Sequence, residues 1–376
     1  MIFFRKIVFE SGVSSHQKGP LLLACNHPNS FLDALLIGSY FKHPVHFLAR
    51  GDAFKNPLVK KILSALKVIP IYRLSEGKEC LALNDTTFGK CTDILVNGGI
   101  VLIFSEGLCL HQWKLTSLKK GTARIALNAW KQPEIADSFC ILPVSLNYSS
   151  FTRFRKNVII DFGDTIRHNE IPIGKPEGQQ IIELNKLISA RLEKGLLLEA
   201  NDQSTIQFLL SNFCLLNTGN HKLIMFLKKK QTLFNNRSNA MFDKLKGTKK
   251  VSLSTISFIA STSVVFILFI PAGVGLLLHL PLYAPFKNYI KKKTQRTVFF
   301  HSALFGGLII IYPAYSIIMI ATVAIVFESS TFFTAIVVMP FLAFIALVWM
   351  DCLERIINHN KLSKIERKEI RTWRFK

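Results

Sequence analysis

A histidine and an aspartate stand close together in Asn26-His27-Pro28-Asn29-Ser30-Phe31-Leu32-Asp33, just before the apolar run Leu35-Leu36-Ile37. The strand-like run Leu21-Leu22-Leu23-Ala24-Cys25 delivers His27 into a turn, and Pro28-Asn29-Ser30 opens a helix that carries Asp33. An imidazole titrates near neutral pH, so on such a turn it suits a general base. A carboxylate one helical turn further on suits the partner that fixes its tautomer. A second reading stands beside it. Ser30-x-x-Asp33 ahead of apolar residues is also a capping box, with Asp33 favoured by the positive end of a helix.

Three further segments follow in order: Val68-Ile69-Pro70-Ile71-Tyr72-Arg73, Leu102-Ile103-Phe104-Ser105-Glu106-Gly107 and Ile141-Leu142-Pro143-Val144-Ser145-Leu146. Arg73 follows an extended stretch, and its planar guanidinium matches phosphate oxygens bidentately. Gly121-Thr122 opens a helix behind Lys119 and Lys120, so helix amides and two ammonium groups face one anion there. Taken singly, each has a plain alternative: Arg73 as a surface residue, Glu106 as a helix cap, Lys119 and Lys120 as a solvated pair.

The ordered set resembles the glycerolipid acyltransferase family, over roughly residues 5–165. That family carries an Asn-His-x4-Asp box, a block with Arg, a Phe-Pro-Glu-Gly block and a Val-Pro-Val-type block. This chain departs from the pattern in three places. Its first box is His27-x5-Asp33, similar to the longer form of some glycerol-3-phosphate acyltransferases. Ser105 stands where Pro is usual, and Leu108-Cys109 replaces Thr-Arg after Gly107.

The resemblance implies transfer of an acyl group from a thioester donor, acyl-CoA or acyl carrier protein, to a hydroxyl of glycerol-3-phosphate or lysophosphatidate. His27 and Asp33 would be catalytic. Asn26, Arg73, Glu106, Gly107, Lys119 and Lys120 would bind the acceptor, and Pro143 and Val144 would wall an acyl pocket. No metal or other cofactor is implied, since a thioester is already activated. A different hydroxylated or amino-acid lipid as acceptor, or lipid binding without turnover, remain the alternatives. No Gly-x-Ser-x-Gly or Gly-x-x-x-x-Gly-Lys-Ser/Thr occurs, which removes the usual hydrolase elbow and phosphate loop.

The chain has 376 residues, 49% hydrophobic, with a formal charge of +23. Its mean hydropathy of +0.31 exceeds that of ordinary soluble proteins, and the excess gathers after residue 250. The basic residues flank apolar stretches: Lys228 to Lys250, then Lys287 to Arg296, then Arg355 to Lys376. That placement points to anionic membrane lipid rather than nucleic acid, and to a cytoplasmic face for each cluster. Seven dispersed cysteines suit a reducing compartment, and Met1–Arg5 is too short for a signal peptide.

The elements needed to position the motifs alternate strand and helix through residues 1–166, which predicts an α/β acyltransferase domain with a mixed sheet covered by helices. Residues 167–225 form a helical extension, with helices over Glu177–Leu198 and Ser204–Leu216, and residues 226–250 a basic linker. An all-α transmembrane region spans 251–351, followed by a basic tail over 352–376. Residues 251–286 hold no Asp, Glu, Lys or Arg and would extend roughly 54 Å as one helix, too long for a single crossing. Pro271-Ala272-Gly273 near the middle predicts a hairpin there, with further spans at 298–327 and 331–350. The expectation is a multi-pass integral membrane protein, of a bacterial inner membrane or its equivalent, with a cytoplasmic catalytic domain.

Overall fold

A computed structural model describes residues 4–11, 13–73, 77–151, 155–171, 174–197, 224, 227–228, 255–294, 297–327 and 331–360. The expected helix over Ser204–Leu216, most of the basic linker, the 328–330 connection and the tail beyond 360 lie outside the described residues.

Seven strands form one mixed sheet: β1 (Phe4–Ser11), β2 (Leu21–Cys25), β3 (Val45–Arg50), β4 (Val68–Ile71), β5 (Ile100–Phe104), β6 (Cys140–Tyr148) and β7 (Lys156–Phe162). Their order is β1-β7-β6-β2-β5-β3-β4, and of the neighbouring pairs only β6 and β7 run antiparallel. Alternation along β2 builds two cores from five residues. Leu22 and Ala24 join one apolar cluster, and Leu21, Leu23 and Cys25 join the other. The first cluster is closed by α3 (Lys78–Val96), α4 (Lys120–Trp130) and α5 (Glu177–Gly195). The second is closed by α1 (Phe31–Tyr40) through Leu32, Leu36 and Ile37. The mixed, helix-covered sheet predicted from the alternation is thus present.

The helix α2 (Pro57–Ala65) is capped by the Asn56 side chain on Leu58 and Val59 N–H, and no residue of it is buried.

The apolar region holds α6 (Thr255–Ile267), α7 (Phe269–Lys293), α8 (Phe300–Phe327) and α9 (Thr331–Asn360). The expected hairpin over 251–286 is replaced by a one-residue break at Leu268. Helical hydrogen bonds continue across it, from Leu268 N–H to Val264 O and from Ala272 N–H to Leu268 O. Pro271 falls in the first turn of α7, where a missing N–H removes no helical bond, so it does not turn the chain. Gly275 lets α7 approach α9 closely, since a Cβ there would strike the Leu342 carbonyl. Among the described residues two segments, Phe269–Lys293 and Ser302–Thr322, are long and apolar enough to cross a membrane. The region touches the α/β domain through α8 and α9: Ser302 Oγ donates to Asn29 O, and Arg155 makes two bonds to Asp351 Oδ2 at 2.7 and 3.1 Å.

Candidate active site

Parallel strands bring the motif residues to one edge of the sheet. His27, Glu106 and Arg73 each lie two residues past the carboxyl end of a strand, after Cys25, Phe104 and Ile71. Tyr148 ends β6, whose Val144 pairs with Cys25, so the last four residues of β6 run on beside the His27 turn. Sites in α/β folds gather at such strand ends.

His27 Nδ1 lies 3.0 Å from Asp33 Oδ2, and the imidazole stacks on Phe104 with centroids 3.7 Å apart. The imidazole is 17% exposed and the Asp33 side chain 0%, so the histidine reaches the surface while its partner is sealed behind it. Asp33 also accepts from Asn29 N–H at 2.7 Å and from the Tyr148 hydroxyl at 2.6 Å. The capping-box reading fails on these bonds. Ser30 makes no side-chain cap, sits at φ 56°, and gives its own N–H to Cys109 Sγ. The five-residue spacing of the first box therefore closes into a His–Asp pair.

Tyr148 is the residue that sequence reasoning missed. Its distance of 115 positions from Asp33, in a buried strand, gives no local signal. Burial, reinforced by the Asp33 charge, raises the phenol well above its ordinary pKa, so it stays a donor. Trp113 Nε1 holds the Tyr148 carbonyl at 2.8 Å. Lys156 lies over the Tyr148 ring and donates to Phe151 O at 2.9 Å. Burial brings its amine down from 10.5 to about 7, against the opposing pull of Asp33. Between those values the unfolded chain holds a proton that the folded chain does not. Folding stability should therefore rise with pH from about 7 towards 10.5, by at most about 1.4 kcal/mol per pH unit. Denaturant titrations should show this rise in the wild type and a flatter profile in Lys156→Met.

The remaining expected residues divide by what they touch. Glu106 staples two loops, accepting from His27 N–H at 3.1 Å, Thr116 N–H at 2.9 Å and Thr116 Oγ1 at 2.5 Å. Gly107 has φ +67°, and a Cβ there would meet the Lys119 side chain, so Lys119 lies across this turn. Ser105, in place of the usual proline, bonds Thr122 Oγ1 at 3.0 Å and ties the end of β5 to α4. Lys119 and Lys120 are exposed at the start of α4, where Gly121 lies close to Ile71 at the end of β4. Arg73 is half-buried, and its charge reaches the Cys109 thiol. Burial and then the Asp33 charge push that thiol up to about 12; Glu106 adds to the rise, while the Ser30 N–H and Arg73 oppose it. Cys109 thus lies within the fields of Asp33, Glu106 and Arg73 together.

Three of the expected residues make structural contacts. Asn26, expected at the acceptor, spends its carboxamide on Leu146, accepting from its N–H at 2.8 Å and donating to its carbonyl at 3.2 Å. It holds β6 to the His27 turn. Pro143 and Val144, expected to wall an acyl pocket, are buried within β6 opposite Ala24 and Cys25. Their neighbours are packed sheet and core.

Residues 6–147 match the family model described as Acyltransferase. This chain carries an acyltransferase-family domain. All four motifs lie within that stretch. A curated relative, the chloroplastic 1-acyl-sn-glycerol-3-phosphate acyltransferase LPAT1 of Arabidopsis thaliana, is 29% identical over 110 residues. That match covers 28% of this chain and 28% of the relative's length. The crystal structure of the 1-acyl-sn-glycerophosphate (LPA) acyltransferase PlsC from Thermotoga maritima aligns with a TM-score of 0.38 and 20% identity. The alignment covers 53% of this chain and 75% of that one. The His27–Asp33 pair, Arg73, the Glu106-Gly107 turn and Lys119 all fall within the acyltransferase domain.

Proposed function

We propose that the chain is a membrane-bound O-acyltransferase that moves a fatty acyl group from a thioester to a hydroxyl of glycerol-3-phosphate or lysophosphatidate. The observation that carries this reading is the His27–Asp33 pair at a strand end, with Asp33 sealed and held by two further donors. With Nδ1 held by Asp33, His27 Nε2 takes the proton of the acceptor hydroxyl as that oxygen attacks the thioester carbonyl. The tetrahedral intermediate collapses with cleavage of the C–S bond, and the imidazolium returns its proton to the leaving thiolate. Asp33 keeps the tautomer and stabilises the transient cation.

Arg73, with Lys119 or Lys120 in support, binds the acceptor phosphate. The donor is acyl-CoA or acyl carrier protein, and no metal enters the scheme. The apolar helices α7 to α9 anchor the domain in a multi-pass arrangement. The flanking basic clusters favour a cytoplasmic catalytic domain beside anionic lipid.

Purified full-length protein, given each donor with phosphorylated acceptors and their phosphate-free counterparts, tests this reading. Phosphate-bearing acceptors should be strongly preferred. Equal use of an unphosphorylated hydroxyl lipid or an amino-acid lipid would replace the acceptor assignment. Arg73→Lys keeps the charge but loses the planar fork, so it should raise KM for the phosphorylated acceptor more than for the donor. Equal effects on both would remove Arg73 from the phosphate site. Tyr148→Phe deletes one donor to a buried carboxylate and should lower kcat by about 10- to 100-fold, equivalent to about 1.5–3 kcal/mol, with acceptor KM unchanged. A change confined to KM would contradict that positioning role.

A further inference from the structure

The helix α2 exposes the residues that an amphipathic helix normally hides. Leu58, Val59, Ile62 and Leu66 are 68, 39, 52 and 50% exposed, although at 100° per residue they fall on one arc. Leu63, at the margin of that arc, is the half-buried residue of the helix. Lys60 and Lys61 occupy the other side, with Lys55 before the helix and Lys67 after it, and all four are exposed. From Ala53 to Lys67 there is no acidic residue. A basic amphipathic helix with its apolar arc uncovered is built for a lipid interface.

Its position in the fold fits. The connections β2–α1–β3 and β3–α2–β4 both step outward along the sheet, so right-handed crossovers put α1 and α2 on the same face. Phe305 of the apolar helix α8 packs against the core cluster on that face. The face that meets α8 is therefore also the face that carries the uncovered arc. A second copy seated arc to arc is a poor occupant, because residues 53–67 hold no acidic side chain to meet the four lysines.

We propose that α2 docks on the anionic surface of the bilayer, inserting Leu58, Val59, Ile62 and Leu66 between headgroups while Lys55, Lys60, Lys61 and Lys67 meet lipid phosphates. Docking here holds the strand ends bearing His27 and Arg73 against the membrane, where a lipid acceptor resides. The proposal rests on the membrane-bound reading and deepens it by naming the surface and its lipid partner.

Nitroxide labels at Ile62→Cys, Lys60→Cys and Ile310→Cys, each in a cysteine-depleted full-length chain, test it in nanodiscs of phosphatidylcholine with phosphatidylglycerol. Collision rates with oxygen, which partitions into lipid, and with a water-soluble nickel chelate report depth. Position 62 should collide more with oxygen than with nickel, position 60 the reverse, and the contrast should shrink in phosphatidylcholine alone. Nickel access at 62 equal to that at 60 overturns the proposal. Shielding of 62 from both reagents also overturns it, since protein would then cover the arc. The label at 310, on an exposed position of α8, reports membrane spanning separately. Oxygen access at 310 with a wet 62 refutes docking alone, whereas nickel access at 310 refutes spanning whatever α2 does.

Discussion

His27→Ala should lower the rate of acyl transfer by about 10²–10⁴, the usual contribution of a positioned general base. The imidazole is held at Nδ1 by Asp33 and stacked on Phe104, so one ring nitrogen is fixed and the proposed base is the other. Truncation removes the proton acceptor without opening the core, because the side chain is partly exposed. Expression and the circular dichroism spectrum should therefore match the wild type. Turnover near normal would take His27 out of the chemistry, and the fold would then serve lipid binding alone.

Asp33→Asn should cost about 10³–10⁴ in rate, because it changes the proton arrangement rather than the shape. The carboxylate now accepts three donors: His27 Nδ1–H, Asn29 N–H and the Tyr148 hydroxyl. A carboxamide accepts on one atom only. With its NH2 towards His27 it donates to Nδ1 and drives the ring proton to Nε2, where a base needs a lone pair. Asn29 N–H bonds the same oxygen as His27, Oδ2, so this orientation also costs that bond while the Tyr148 bond to Oδ1 is kept, and the melting temperature should fall only modestly beside the loss of rate. Had Asp33 served as a helix cap, asparagine would have substituted for it with activity kept. Activity and thermal stability measured on one preparation separate the two roles.

The positions of the strands were legible because buried parallel strands need unbroken apolar runs. Leu21–Cys25 and Ile100–Phe104 announce themselves, and each ends two residues before a motif side chain. The His27–Asp33 pair was legible because both members lie on one turn. Tyr148 was not, since a tyrosine closing a buried strand reads as core until the fold brings it to Asp33. Asn26 could not be assigned from sequence, since a carboxamide beside the His27 turn serves a ligand or the backbone equally well, and in the fold it bonds Leu146. The break in the apolar region was placed at Pro271 on the rule that proline ends helices. That rule lapses in a first turn, and the chain breaks at Leu268 instead. The apolar spacing in Pro57–Ala65 suits a helix face, but periodicity cannot say what covers a face, and the protein leaves this one open.

The most direct test of acyl transfer by this domain is a balance of products. Full-length protein in detergent, given an acyl thioester and either glycerol-3-phosphate or lysophosphatidate, should release free thiol and acylated acceptor in equal amounts, with both lost in His27→Ala. Thiol release without acylated acceptor, or release that His27→Ala leaves unchanged, would contradict the account.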